Sequence, residues 1–276
     1  MWTLVFGPES QSVQVLSRGV SLEFRTLRPP LTREPVKFSN HSTELQLTTA
    51  VNKLLAKGVV VLVRDQSTPG FYSRLFLIPK PNGDLRPVID LKVLNKLLVV
   101  PPFTMETQKS VRLAVRPGDW AASIDIQDAY LHVPMSVSVQ KLLRFRIGSA
   151  TYQFGVLPFG LSTSPREFSK LCAPLVLLLR KQGIQLHVYL DDWLIRASSL
   201  IVAQQHTFVV ANVLQRLGWI LNLNKSCLTP SQNFKFLGLR FCTEKEVVIV
   251  TPIPEIQVRL AAKVCPLLEA PLLSAR

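Results

Sequence analysis

Apolar positions along this chain alternate between helical and strand spacing often enough to divide it into short elements. From Ser42 to Lys57, residues Leu45, Leu47, Val51, Leu54 and Leu55 supply much of one helical face. Ser42 or Thr43 is placed to cap that helix and Gly58 to stop it. SRLFLIPK (73–80) and DLRPVIDL (84–91) read as strands joined by the turn signal Pro81-Asn82-Gly83. WAASIDI (120–126) reads as a buried strand, and KLLRFRI (141–147) with TYQFGV (151–156) as a hairpin about Gly148-Ser149. A helix follows Pro165 through EFSKLCAPLVLLLRKQ, with Pro174 as its kink point. LHVYL and WLIRA make a hairpin whose predicted turn is Asp191-Asp192; a helix then covers 200–217 and stops at Gly218. FKFLGLRF (234–241) supplies a further strand pair or hairpin arm. Residues 1–43 have weak periodicity and read as an arm or tail. Strands and helices mix without regular βαβ alternation, which predicts an α+β fold.

Composition sharpens this picture. The 276 residues are 47% hydrophobic, enough for a sizeable core and against wholesale disorder. Thirty-two Lys and Arg against 18 Asp and Glu leave a formal charge of +14, which points to a polyanionic partner, most simply nucleic acid. The four cysteines, Cys172, Cys227, Cys242 and Cys265, show no CxxC spacing, which argues against a zinc site or a disulfide framework and for free thiols. MWTLVFGPES lacks the features of a signal peptide, and the apolar runs GVVVLV (58–63) and PLVLLL (174–179) are too short to span a bilayer. The expectation is an intracellular protein, cytoplasmic or nuclear, with no membrane partner.

HVYLDDWLI (187–195) sets two adjacent carboxylates, Asp191 and Asp192, inside an apolar run. An exposed hairpin turn would explain the pair for backbone reasons alone. The flanks, however, are long and apolar enough to be buried strands, and two acids at such a tip repel each other unless a cation neutralises them. Hard oxygen ligands of this kind suit magnesium. A partner acid belongs on a neighbouring strand, and SIDIQDAY (123–130) offers Asp125 between Ile124 and Ile126, whose side chains point to the opposite face. Asp125 also suits a helix N-cap, a role that fits Asp128 better. Three carboxylates on two adjacent strands can form a two-metal phosphoryl-transfer site.

At this point the chain resembles the reverse transcriptases of retroelements. YLDD (189–192) is similar to their YxDD motif and SIDIQDAY to their first catalytic motif, with Asp191 lying 66 positions after Asp125. LPFGLSTSPREF (157–168) resembles the template- and nucleotide-contacting motif, and LIPKPNGDLRPVIDLKVLNK (77–96) the fingers segment. LGWILNLNKS (217–226) and FKFLGLRF resemble the lysine-bearing motif and the primer grip. Six ordered segments thus cover about residues 70–241. GFYSRLFLIPK, PGDWAASIDIQDAY and YLDDWLI look closest to DIRS-type tyrosine-recombinase elements, then to gypsy-type and retroviral enzymes.

The resemblance implies fingers and palm, with an antiparallel palm sheet backed by helices, over residues 44–241. It implies metal binding by Asp125, Asp191 and Asp192, with the Ile126 carbonyl, and two Mg²⁺ ions for which Mn²⁺ can substitute. It implies nucleotide contacts from Lys80, Arg86, Asp128, Ala129, Tyr130, Phe159 and Lys225. Lys80 and Arg86 reach the triphosphate, although a solvated hairpin tip is the plainer reading of both. Tyr130 stacks under the incoming sugar and favours deoxynucleotides; otherwise it is a core residue. Phe159 stands where many retroviral enzymes carry glutamine (LPQG there, LPFG here), which puts a hydrogen bond from that side chain in doubt. Lys225 protonates the leaving pyrophosphate or offsets its charge, or is a surface lysine. Gly160 and Pro165 shape the backbone beneath the templating base. Tyr189, Phe236, Leu237 and Gly238 belong to the template–primer contacts, a plain hydrophobic hairpin being the alternative for the last three. Lys141, Arg144 and Arg146 are close enough in KLLRFRI to meet a phosphate backbone.

The implied partners are an RNA or DNA template with its primer, and a deoxynucleoside triphosphate. Only 35 residues follow FKFLGLRF, so 242–276 is expected to be a truncated start of a thumb, without room for ribonuclease H or recombinase domains. Two other functions stay open: a silent fragment that binds nucleic acid electrostatically, and a metal-dependent nuclease, which leaves the fingers and primer-grip segments unexplained.

Overall fold

The computed structural model describes residues 1–26, 28–33, 44–65, 67–79, 83, 85–245 and 248–252. Ser42, Thr43, Lys80, the Pro81-Asn82 part of the predicted turn and most of the expected thumb segment (246–247 and 253–276) lie outside them. The chain divides into two compact units, Met1–Thr104 with Asp128–Leu175, and Met105–Gln127 with Val176 onward.

In the first unit, α1 (Trp2–Phe6) and α2 (Gln11–Arg18) occupy the segment read as an arm. Ser10 caps α2 by accepting from the Val13 amide, and buried Ser12 donates to the Leu171 carbonyl at 3.0 Å. Val20, 2% exposed, bridges to Met135, so this stretch packs rather than trails. Its periodicity is faint because α1 has no buried residue and α2 only Ser12.

α3 (Glu44–Ala56) buries Leu47, Ala50, Val51 and Leu54 and ends at Gly58, whose φ is +68°. Leu45, expected on the apolar face, is exposed, because Leu47 and Val51 define a narrower stripe that excludes it. β1 (Val60–Leu62), β5 (Arg144–Ile147) and β6 (Ala150–Phe154) form an antiparallel sheet in the order β1-β6-β5, with Gly148 at φ +56° in the β5–β6 turn. β2 (Leu75–Pro79) pairs antiparallel with β3 (Leu85–Ile89), Leu75 opposite Ile89 and Pro79 opposite Leu85. α4 (Lys92–Leu97), a 3₁₀ turn (Ala129–His132) and α6 (Val137–Gln140) complete the unit. α7 (Ser164–Lys181) starts in it and continues through Pro174 into the second.

The second unit holds a four-stranded antiparallel sheet in the order β7-β8-β4-β9, from β4 (Trp120–Asp125), β7 (Gln185–Tyr189), β8 (Asp192–Ala197) and β9 (Cys227–Ser231). One face presents buried Ala122, Ile124, Trp193 and Ile195, and α8 (Leu200–Arg216) packs on β4, β8 and β9. On the other face Ala121 and Leu194 join a core with Phe234, Phe236, Leu239 and Phe241. Those last residues come from β10 (Asn233–Phe236) and β11 (Leu239–Cys242), which with β12 (Ile249–Pro252) form a second antiparallel sheet. Val111 and Val115 add α5 (Gln108–Ala114) and its end to the same core. Among the described residues no helix is long and apolar enough to cross a membrane.

Candidate active site

Alternation along β4 puts Asp125 on the face opposite Ile124 and Ile126, both 1% exposed. The β4–β8 register then sets Asp125 directly across from Asp192, and Ile124 across from Trp193. Side chains so paired lie about 5 Å apart at Cβ. The Asp125 backbone is fixed on both sides: its N–H donates to Ser226 Oγ at 3.0 Å, and its carbonyl accepts from the Asn222 amide at 2.8 Å. Ile126 N–H donates to the Asp191 carbonyl at 2.9 Å, which ties the end of β4 to the β7–β8 turn.

That turn is one residue earlier than the sequence suggests. Tyr189 pairs with Asp192, so the loop is Leu190-Asp191 and Asp192 opens β8. Leu190 sits at φ +55°, a position where two-residue hairpins favour glycine. Strain of about 1–3 kcal/mol is expected of a branched residue held there. The buried Trp193 indole braces the turn by donating to the Leu190 carbonyl at 3.2 Å.

The carboxylates feel one another. Burial, then Asp191, then Asp125 push the Asp192 carboxyl up to about 6, and Lys225 partly offsets them. Lys225 Nζ lies 3.6 Å from Asp125 Oδ2. Hard oxygen donors in mutual repulsion fit a divalent cation such as magnesium. Among the described residues, no group of three or more His, Cys, Asp or Glu side chains is arranged to hold a metal ion.

Beside these acids, Tyr189 and Leu237 pack against the Phe234–Phe241 core, and Phe236 is buried in it. The β10–β11 turn is Leu237-Gly238, at φ +48° and +77°, the paired positive angles of a type I′ hairpin. Gln108 Nε2 donates to the Leu237 carbonyl at 2.7 Å. Behind β7, Glu106 meets Arg180 at 3.0 Å and His187 Nδ1 at 3.5 Å. Arg196 Nε donates to His187 Nε2 at 3.1 Å, and its Nη1 meets buried Asp119 at 2.7 Å. Burial holds the His187 imidazole below its ordinary value.

The first unit gathers a second set of the expected residues. Arg86, Asp128 and Phe159 line one cleft of about 120 Å³, with Lys53, Lys57 and Leu131. The Arg86 guanidinium stands 5.4 Å over the Phe159 ring, a cation–π distance. Tyr130 packs between Phe159 (5.3 Å) and Phe168 (5.7 Å), and Ala129 beside it is buried. Asp128 precedes the 3₁₀ turn at φ +50° but makes no side-chain cap bond; its carboxylate instead accepts from Lys57 Nζ at 2.7 Å. Gly160, at φ +101°, leaves only 2.8 Å between a Cβ placed there and the Ile89 carbonyl. Asn95 clasps this loop, donating to the Gly160 carbonyl and accepting from the Ser162 amide. Pro165 lies in the first turn of α7, where its missing N–H costs nothing.

One expectation fails outright. Arg144 is 5% exposed and spends its guanidinium on the Thr68 carbonyl (2.6 Å), the Thr68 hydroxyl and Gln153. It fills the space that Gly70 leaves by lacking a side chain, so it is a structural strut and not a phosphate contact. Arg146 is exposed and donates to the Gly148 carbonyl.

Comparison with known proteins identifies the family to which this fold and its paired acids belong. Residues 78–241 match the family described as reverse transcriptase (RNA-dependent DNA polymerase), and the chain belongs to that family. The Pro-Pol polyprotein of feline foamy virus is 29% identical over 197 residues, 70% of this chain and 16% of that protein. The transposon Tf2-3 polyprotein of Schizosaccharomyces pombe is 27% identical over 169 residues, 59% of this chain and 12% of that protein. The chain thus spans less than a fifth of the length of these curated relatives. A foamy viral protease-reverse transcriptase solved in complex with double-stranded DNA superposes with a TM-score of 0.66 at 20% identity, over 87% of this chain and 42% of that one. The same enzyme type solved with an RNA/DNA hybrid gives 0.65 at 20% identity, over 82% and 29%. The architecture is the fingers-and-palm α+β fold, with an antiparallel sheet backed by helices.

Proposed function

We propose that this domain is the polymerase core of a retroelement reverse transcriptase, adding deoxynucleotides to a primer 3′ end on an RNA or DNA template. The observation that carries the reading is the cross-strand pairing of Asp125 with Asp192 beside Asp191, in a chain of this family. Two magnesium ions, or manganese in their place, supply the Lewis acidity when bound. Asp125, Asp191 and Asp192, with the Ile126 carbonyl, are the proposed ligands. Lys225 holds a proton at Nζ for the leaving pyrophosphate or offsets its charge. Lys80 and Arg86 grip the triphosphate, Arg86 being aimed by the Phe159 ring. Asp128 and Ala129 lead into Tyr130, whose flanking by Phe159 and Phe168 supports a rigid floor for the sugar, closed to a 2′-hydroxyl. Gly160 and Pro165 shape the template side, and Tyr189 with Phe236, Leu237 and Gly238 supports the primer terminus.

Primer extension on poly(rA)/oligo(dT) with Mg²⁺ or Mn²⁺ tests this, comparing the chain with Asp191→Asn. Extension that the substitution abolishes supports the enzyme. Absence of extension, with salt-sensitive template binding retained, marks a silent nucleic-acid-binding fragment instead.

A further inference from the structure

Two hairpins of the second unit carry the proposed chemistry: β7–β8 presents the acids and β10–β11 supports the primer. Both are tied to one short segment, Glu106–Ser110, at the start of α5. Thr107 and Ser110 close a capping box there, with Thr107 Oγ1 accepting from the Ser110 amide at 3.1 Å. Ser110 Oγ lies 2.7 Å from Glu106 Oε2, which fixes that carboxylate on the cap. Its other oxygen, Oε1, faces Arg180 at 3.0 Å and His187 Nδ1 at 3.5 Å. Arg180 in turn donates to the Leu186 carbonyl on β7 at 2.7 Å.

The tautomer of His187 follows from its neighbour. The Arg196 Nε–H can only donate, so His187 Nε2 must accept, and a neutral imidazole then carries its proton on Nδ1, facing Glu106. Two residues along the same segment, Gln108 reaches the opposite way, to the Leu237 carbonyl in the β10–β11 turn. Its partner is 129 positions distant in the chain, so this is a tertiary tie and not a local cap.

We propose that Glu106 and Gln108 are positioning residues, a bracket that sets the primer-holding turn against the hairpin bearing Asp191 and Asp192. The assignment rests on the reading of Phe236–Gly238 as the support of the primer terminus. A polymerase needs this spacing because the 3′-hydroxyl must arrive in line with the phosphate, and small misplacements are costly in rate. Neither side chain touches substrate, so the bracket acts on the chemical step and not on nucleotide affinity.

Single-turnover incorporation on a preformed primer–template separates these effects. Gln108→Leu, a change at an exposed side chain, is expected to lower the maximal incorporation rate roughly fivefold, the equivalent of one hydrogen bond. The dissociation constant for the deoxynucleotide should stay within about twofold, since only transition-state alignment is lost. Hydrogen exchange over residues 236–239 should quicken in the same variant. Glu106→Leu should slow incorporation likewise, and Glu106→Gln, whose one amide oxygen still accepts from Arg180 while its NH2 can donate to Ser110 Oγ, should restore most of the rate. Wild-type incorporation by Gln108→Leu, alongside a dead Asp191→Asn, overturns the bracket and leaves the polymerase reading standing. A rise in nucleotide dissociation constant with an unchanged maximal rate overturns it as well. If the unsubstituted chain fails to extend any primer, the bracket and the polymerase reading fall together.

Discussion

Replacing Asp192 by asparagine should stabilise the metal-free chain at neutral pH. The Asp192 carboxyl is raised from 3.8 to about 6, first by burial, then by Asp191 and Asp125. A carboxyl bound to its proton more tightly in the folded than in the unfolded state destabilises the fold once ionised. The penalty is absent below pH 4, grows as pH rises to about 6 and is complete above that. A shift of this size corresponds to about 3 kcal/mol at full strength. The Asp192 residue as a whole is exposed although its carboxyl is partly desolvated at the turn, so solvent screening brings the expected gain from Asp192→Asn down to about 1 kcal/mol. Urea titrations without divalent metal, at pH 7.5 and at pH 3.5, measure it: the variant should unfold later at the higher pH and level with the wild type at the lower. Magnesium should raise the wild-type midpoint at pH 7.5 more than that of the variant, because it binds the folded acids. Equal or lower stability of Asp192→Asn at pH 7.5 without metal would refute the claim that burial and the neighbouring acids destabilise the ionised Asp192 carboxyl.

Tyr130→Val should cut discrimination against ribonucleotides roughly 10- to 100-fold, as expected for a packing contact with one substrate group, measured as the ratio of kcat/KM for dTTP and UTP. Leu190→Gly should be more stable than Leu190→Ala by about 1 kcal/mol in denaturant titrations, since only glycine relieves the positive φ; the reverse order would remove strain from the account of this turn. Asp119→Ala strands the Arg196 guanidinium in a buried site and should cost about 3–5 kcal/mol, visible as a lowered midpoint or loss of folded protein.

Some of this was open to view in the amino-acid order and some was not. The β4 acid and its face could be read because Ile124, Asp125 and Ile126 alternate plainly, and the β10–β11 hairpin because Leu237-Gly238 interrupts aromatic strands. The position of the β7–β8 turn could not, since a leucine at positive φ breaks the rule on which turns are read, and the adjacent acids looked like the turn themselves. Arg144 was misread for a related reason. Its burial depends on the empty space at Gly70, some seventy positions away in the chain, and a run of cations in a strand gives no hint of it. The Glu106–His187 contact was missed too. A trace of it lies in TQKS (107–110), where serine stands in place of the usual acidic or amide residue of a capping box.

Point substitutions and length changes threaten the β7–β8 hairpin in different ways. Side chains on β8 alternate between the acid-bearing face and the face of Trp193. One extra residue between Asp192 and Trp193, with the remainder of β8 still paired to β4, would turn Asp192 toward the buried face and away from Asp125. Two extra residues would restore its direction but carry it about 7 Å along the strand. The hairpin can therefore drift in composition while its length stays locked, and an odd-numbered insertion does more damage to the acid pair than many substitutions around it.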